Sequence, residues 1–208
     1  MVDSASNITG CDASPGDACK QGSCLQPPCM MLCGLTTSQI RCVQICNSSC
    51  DAVKCTAYDK CEQTCSTGNC KSMTCDSLYC VQRCESATCG VMTCVKNTNN
   101  LASGCKQSSK SGQMICETEV CIQDCPNGNC NLVCSSSVKQ CNQTCDGGNC
   151  QYKCEAQDSC SLSCKGGSCT NTSTTKMPPT TTPTNSGYCL QMTVAVGLAL
   201  IFALVTFV

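Results

Sequence analysis

The chain has 208 residues, 31 of them cysteine, with 13 basic against 14 acidic side chains and no histidine. The missing imidazole excludes Ser-His-Asp and Cys-His nucleophilic sites, and a net charge of -1 offers no basic stripe to a nucleic acid. There is no Trp, both Phe residues lie near the C-terminus, and Tyr58, Tyr79 and Tyr152 are the only aromatics before Asn185. A conventional apolar core is therefore not expected, and cross-links must offset the chain entropy.

A cysteine content of about fifteen per cent lies far above the level that marks a disulfide scaffold. No two cysteines are adjacent or separated by only one or two residues, so the usual zinc and thiolate-cluster spacings are missing. The expectation is an oxidised framework with no metal and no cofactor, formed in a secretory or extracellular compartment. The acidic residues are scattered without a paired motif, the pattern of a solvated surface, and the chain is read as non-enzymatic. No Arg-Gly-Asp adhesion tripeptide occurs.

Residues 1–10 precede the first cysteine and contain neither a basic flank nor an apolar stretch, which points to a longer precursor in which Met1 is internal. Residues 11–169 form the cysteine-rich ectodomain. Its leading portion, 11–41, is irregular, and the long gap from Cys33 to Cys42 suits a capping unit. From Cys42 a unit of about 19 or 20 residues recurs, with starts at Cys42, Cys61, Cys80, Cys121, Cys141 and Cys160.

The clearest copies read C-x-Q-x-C-x-x-G-N-C, then three or four residues and a further cysteine. Glutamine occupies the third position as Gln44, Gln63, Gln82, Gln123 and Gln143, and Leu162 replaces it in the last copy. Gly-Asn or Gly-Ser precedes the third cysteine at Gly68-Asn69, Gly128-Asn129, Gly148-Asn149 and Gly167-Ser168, with Gly22-Ser23 in a partial leading copy. Both Gly and Asn tolerate positive φ, so each pair marks a tight reversal, while C-x-Q-x-C places three residues on one face of an extended segment.

Stacked as coils of a solenoid, equivalent residues would sit about 4.8 Å apart, a separation that a disulfide accepts, and the glutamines would form an amide ladder. The rival arrangement is a string of disulfide-knotted hairpin modules. The fold class is thus disulfide-rich and mostly β or irregular, a stapled β-solenoid being favoured because a repeated interior-type residue implies contact between copies. Cysteine density falls across residues 95–115, which reads as a looser surface loop or a degenerate coil.

Four N-x-[ST] sequons stand at Asn7, Asn47, Asn142 and Asn171. Asn47 and Asn142 lie within tight cysteine spacings, where sugar must be added before disulfides close. Residues 170–187 are Thr/Pro-rich and read as an O-glycosylated stalk. Residues 188–208 end in an uncharged run from Leu190 to Val208, long enough for a hydrophobic C-terminal helix to cross a bilayer. No Lys or Arg follows that run, and Asn185-Ser186-Gly187 supplies the small residues of a glycolipid attachment site at Asn185. A retained single-pass helix is the alternative. Loss of Cys189 with the tail would leave 31 minus 1, or 30, cysteines, an even number.

Repeats such as CNQTCDGGNCQYKC and CIQDCPNGNCNLVC, followed by a Thr/Pro stalk and an anchor-like tail, resemble the cysteine-rich surface and matrix proteins of cnidarians, including uncharacterised organic-matrix proteins of stony-coral skeletons. The likeness covers roughly residues 42 to 208. It implies a structural or interaction protein of the cell surface or extracellular matrix whose partners are the membrane and other matrix or surface proteins. It carries no catalytic residue. Mineral-associated proteins are often acidic, whereas this chain is nearly neutral. A secreted toxin, inhibitor or defence protein and a thiolate metal store are the competing classes.

Overall fold

The computed structural model describes residues 6–9, 18–21, 29–33, 41–85, 88–96 and 102–173. In chain order the strands are β1 (Ser6–Thr9), β2 (Ala18–Gln21), β3 (Cys29–Cys33), β4 (Arg41–Cys46), β5 (Cys50–Thr56), β6 (Lys60–Cys65), β7 (Asn69–Asp76), β8 (Tyr79–Cys84) and β9 (Thr88–Cys94). They continue as β10 (Gly104–Ser109), β11 (Gly112–Cys116), β12 (Val120–Cys125), β13 (Cys130–Cys134), β14 (Gln140–Cys145), β15 (Gln151–Cys154), β16 (Ser159–Cys164) and β17 (Thr170–Asn171).

Every strand pairs in parallel with the strand two places along the chain, not with its immediate neighbour. The odd-numbered strands build one nine-stranded sheet and the even-numbered strands a second of eight. This is a β-solenoid: each coil lays one strand in each sheet, and the next coil stacks about 4.8 Å further along the axis. Hairpin modules would have required antiparallel pairing of consecutive strands, and are displaced by this topology.

Alternation at period two makes the interior. In β4 the cysteines and Gln44 are buried while Arg41 and Ile45 are exposed, and β12 and β14 repeat the pattern. The odd strands carry the complementary row. Met31, Val53, Met73, Met92, Met114, Leu132 and Tyr152 lie in register and are all essentially inaccessible. Each stands two residues before the closing cysteine of its strand. Some odd strands hold three residues between cysteines and others four, and where the two lengths meet, between β3 and β5, the register shifts beside Cys29 and leaves the buried row aligned. Of the three tyrosines before Asn185, Tyr152 belongs to this core, whereas Tyr58 and Tyr79 are each 54% exposed.

Thirteen disulfides are present among the described residues, in two columns. One joins the end of an even strand to the start of the next odd strand, as Cys46–Cys50, Cys65–Cys70, Cys84–Cys89, Cys125–Cys130, Cys145–Cys150 and Cys164–Cys169. The other joins odd to even, as Cys33–Cys42, Cys55–Cys61, Cys75–Cys80, Cys94–Cys105, Cys116–Cys121, Cys134–Cys141 and Cys154–Cys160. Equivalent cysteines of stacked coils, about 4.8 Å apart, are thus not the partners; the bridges close the corners of a coil, with Cα separations of 6.0 to 6.6 Å. Each closes a short loop, for which chain-entropy arguments give about 2 kcal/mol.

Of the stretch 95–115, the described residues 102–115 are more regular than their composition implies. Strands β10 and β11 form a full coil there, in register with β8 and β12 and with β9 and β13. What they lack is one bridge: Ser109 ends β10 where the neighbouring even strands end in cysteine, and Gly112 is the register partner of Cys130. Gly112 has φ +102, and a Cβ there would lie 2.0 Å from the Cys89 carbonyl oxygen. Only glycine fits so close a passage of one coil over another.

The Gly-Asn turns also form as expected. Positive φ occurs at Gly128-Asn129 and Gly148-Asn149, and at Gly68. In the last copy it is Gly166, one residue before the expected Gly167, that carries it. Residues 170–173, read as the start of the stalk, belong instead to the solenoid through β17, whereas Gly22-Ser23, residues 174–187 with Asn185, and the C-terminal apolar run lie outside the described residues, among which no helix is long and apolar enough to cross a membrane.

Candidate functional site

The most ordered polar feature is the column of glutamines between the sheets. Gln44, Gln63, Gln82, Gln107, Gln123 and Gln143 are fully buried. Each side-chain Nε2 donates to the Oε1 of the preceding rung: Gln63 to Gln44 at 2.9 Å, Gln82 to Gln63 at 2.8 Å, and Gln107 to Gln82 at 2.9 Å. The column continues from Gln123 to Gln107 and from Gln143 to Gln123, both at 2.8 Å. The amide also reaches across to carbonyls of the odd sheet, as from Gln63 to Val53 and Thr74 and from Gln123 to Met114 and Val133. An uncharged amide has two donors and an acceptor, so it satisfies its neighbours along and across the interior without the desolvation cost of an ion. Gln107, hidden in the cysteine-poor stretch, is a rung that the cysteine spacing alone conceals.

The ladder stops at the C-terminal end. Leu162 is the register partner of Gln143, and the Gln143 Oε1 is buried without a hydrogen-bond partner. Substitution Leu162→Gln is expected to supply the missing donor and raise stability by about 1 kcal/mol, read as a higher thermal midpoint of the oxidised protein. A lowered midpoint would show that the apolar cover of Leu162 outweighs the amide contact.

The outer face of the even sheet holds a shallow depression where Gly104 separates Tyr79 from Val120, with Val81, Lys106 and Ile122 alongside. Much of its charged rim is already paired, Arg41 with Asp59 at 3.6 Å and Lys60 with Glu62 at 2.5 Å. Such exposed pairs contribute little to stability. Further along that face, burial and the neighbouring Asp146 carboxylate push the Asp124 carboxyl above the usual range, against Lys106 and Lys165. The folded chain thus holds this proton more tightly than the unfolded chain, and its contribution to stability is lost as pH rises through the shifted value.

Several sulfurs lie in groups of three, such as Cys46, Cys50 and Cys70 or Cys125, Cys145 and Cys150. Each group contains a bridged pair, and metal ligation needs thiolates, which a disulfide does not offer.

Of the sequons, Asn47 is exposed at the corner between β4 and β5, where its carbonyl accepts a hydrogen bond from Thr67 Oγ1 at 2.5 Å. Asn142 is exposed on the outer face of β14, beside the buried Gln143. Asn171 is exposed in β17, and Asn7 lies in β1. These residues are spread over both sheets and the ends of the solenoid and form no common centre. No family model, no curated protein and no solved structure matches the chain. The disulfide-rich solenoid is that of an extracellular structural or interaction protein.

Proposed function

We propose that the protein is a non-catalytic structural rod of the cell surface or extracellular matrix, held to the membrane by a glycolipid at Asn185 and assembled with other matrix or surface proteins. A skeletal organic matrix beneath a biomineral is the setting we favour, by the resemblance of the repeats and tail. The observation that carries the reading is the covalent closure of nearly every described corner along an amide ladder that runs from Gln44 to Gln143. Nine stacked strands at about 4.8 Å give the odd sheet a length of about 38 Å. Cross-links at such density limit local opening, the step that protease attack on a folded protein requires. The outer faces then display a repeated surface at a fixed spacing.

The test is mass spectrometry of the mature protein from its native tissue, alkylated before reduction. A glycolipid on Asn185 and no alkylated cysteine are expected. A C-terminal peptide reaching Val208 would overturn the glycolipid, and free thiols holding a metal ion would overturn the structural role in favour of a metal store.

A further inference from the structure

A solenoid has two open ends. The odd sheet ends in β1 and β17, the even sheet in β2 and β16. An edge strand presents unpaired backbone N–H and C=O groups along the axis, a template for another parallel strand. Because all pairing here is parallel, a second copy added at one end would leave the same kind of end exposed, so head-to-tail contact would propagate without closing. Proteins block such edges with charge, proline, bulges or a covering segment.

The strands of the last described coil lack the first two devices, its one charge, Lys165, lying in the turn between them and paired with Asp146. Its strands read SCSLSC in β16 and TN in β17, without a charged residue or proline. Leu162 is only partly buried, and the orphaned Gln143 oxygen lies beneath it.

What these strands do contain is a sequon. Asn171 is the register partner of Tyr152, whose side chain fills the apolar row, and so it occupies the terminal position of that inward row. Among the described residues no strand follows β17 in the sheet order, and Asn171 is exposed. Its Oδ1 accepts the Ser173 N–H at 3.0 Å, and Ser173 Oγ accepts the Cys154 N–H at 2.8 Å, which fixes the Asn-Thr-Ser segment against the last full coil. At the opposite edge of the same sheet, Asn7 lies in β1. Two of the four sequons therefore fall on the two edge strands of one sheet.

We infer that an N-linked glycan on Asn171 caps the C-terminal edge of the solenoid and prevents a second copy of the chain from adding there head to tail. A sugar branched from Asn171 would occupy the space over the last coil, where another strand must approach to within about 4.8 Å to pair. The inference rests on the extracellular reading above, since only a chain in the secretory pathway meets the glycosylation machinery.

The experiment uses the full chain displayed on cells of a glycosylating eukaryotic host, with amine cross-linking on intact cells and glycopeptide mapping of the same sample. Wild type is expected to carry sugar on Asn171 and to run as a single copy. Substitution Asn171→Gln should remove that sugar and raise the multimer share several-fold, with no gain in alkylatable thiols to show that the fold is intact. Substitution Ser173→Thr keeps both the sequon and the hydroxyl and should behave as wild type. Sugar at other sequons but not at Asn171, or Asn171→Gln chains that remain single, would overturn the capping role and leave the extracellular reading standing. A chain without sugar at any sequon and with free thiols would overturn both.

Discussion

Substitution Gln82→Leu is expected to destabilise the oxidised protein by about 3 kcal/mol although leucine fits the space, because it strands partners on both sides. Gln82 donates to the Gln63 Oε1 and to the Thr93 carbonyl, and its own oxygen accepts from Gln107. The double variant Gln82→Leu, Gln107→Leu provides the sharper test. Along the ladder it interrupts only the contacts at its outer boundaries, with Gln63 and Gln123, and across the interior it removes the donors to the Thr93, Met92 and Ile115 carbonyls, so it should cost less than the sum of the two single changes. Denaturant unfolding followed by circular dichroism measures both. Simple additivity would mean that the amides act independently and that the ladder is not a cooperative unit.

The second large effect falls on Gly112. Substitution Gly112→Ala places a methyl group 2.0 Å from the Cys89 carbonyl oxygen at φ +102, and the combined clash and backbone strain should cost about 3 kcal/mol or more. Gly104, in the same coil, is the internal control. A Cβ there would stand 3.8 Å from the Tyr79 ring and 4.0 Å from the Val120 oxygen, ordinary contact distances, and its φ is not positive. Substitution Gly104→Ala is therefore expected to leave the thermal midpoint within a few degrees of wild type. Equal effects at the two sites would contradict the close coil-on-coil passage at Gly112.

Much of this architecture was legible because the sequence repeats its interior. Gln44, Gln63, Gln82, Gln123 and Gln143 marked the ladder, and Gly128-Asn129 and Gly148-Asn149 marked the corners with the φ values they adopt. The disulfide partners were not legible, because stacked equivalents and corner pairs both satisfy the distance a bridge accepts. The coil of β10 and β11 was obscured by the loss of two cysteines at Ser109 and Gly112, which also hid Gln107. The row from Met31 to Tyr152 escaped notice for a geometric reason. Counted from the opening cysteine it drifts between strands of three and four intervening residues, whereas counted back from the closing cysteine it is constant. Of the predicted site residues, Asn47, Asn142 and Asn171 are exposed as attachment points must be.

The corner bridges also determine what a cut in the chain would do. At a corner enclosed by a disulfide, such as the turn between Cys65 and Cys70, a hydrolysed peptide bond leaves both fragments joined through sulfur. The strands between corners are protected by hydrogen bonding to neighbouring coils. The turn from Ser109 to Gly112 has no such tie, and it contains Lys110. Among the described corners it is where a single cleavage would divide the rod into two separable pieces, so any controlled release of the outer coils would begin there.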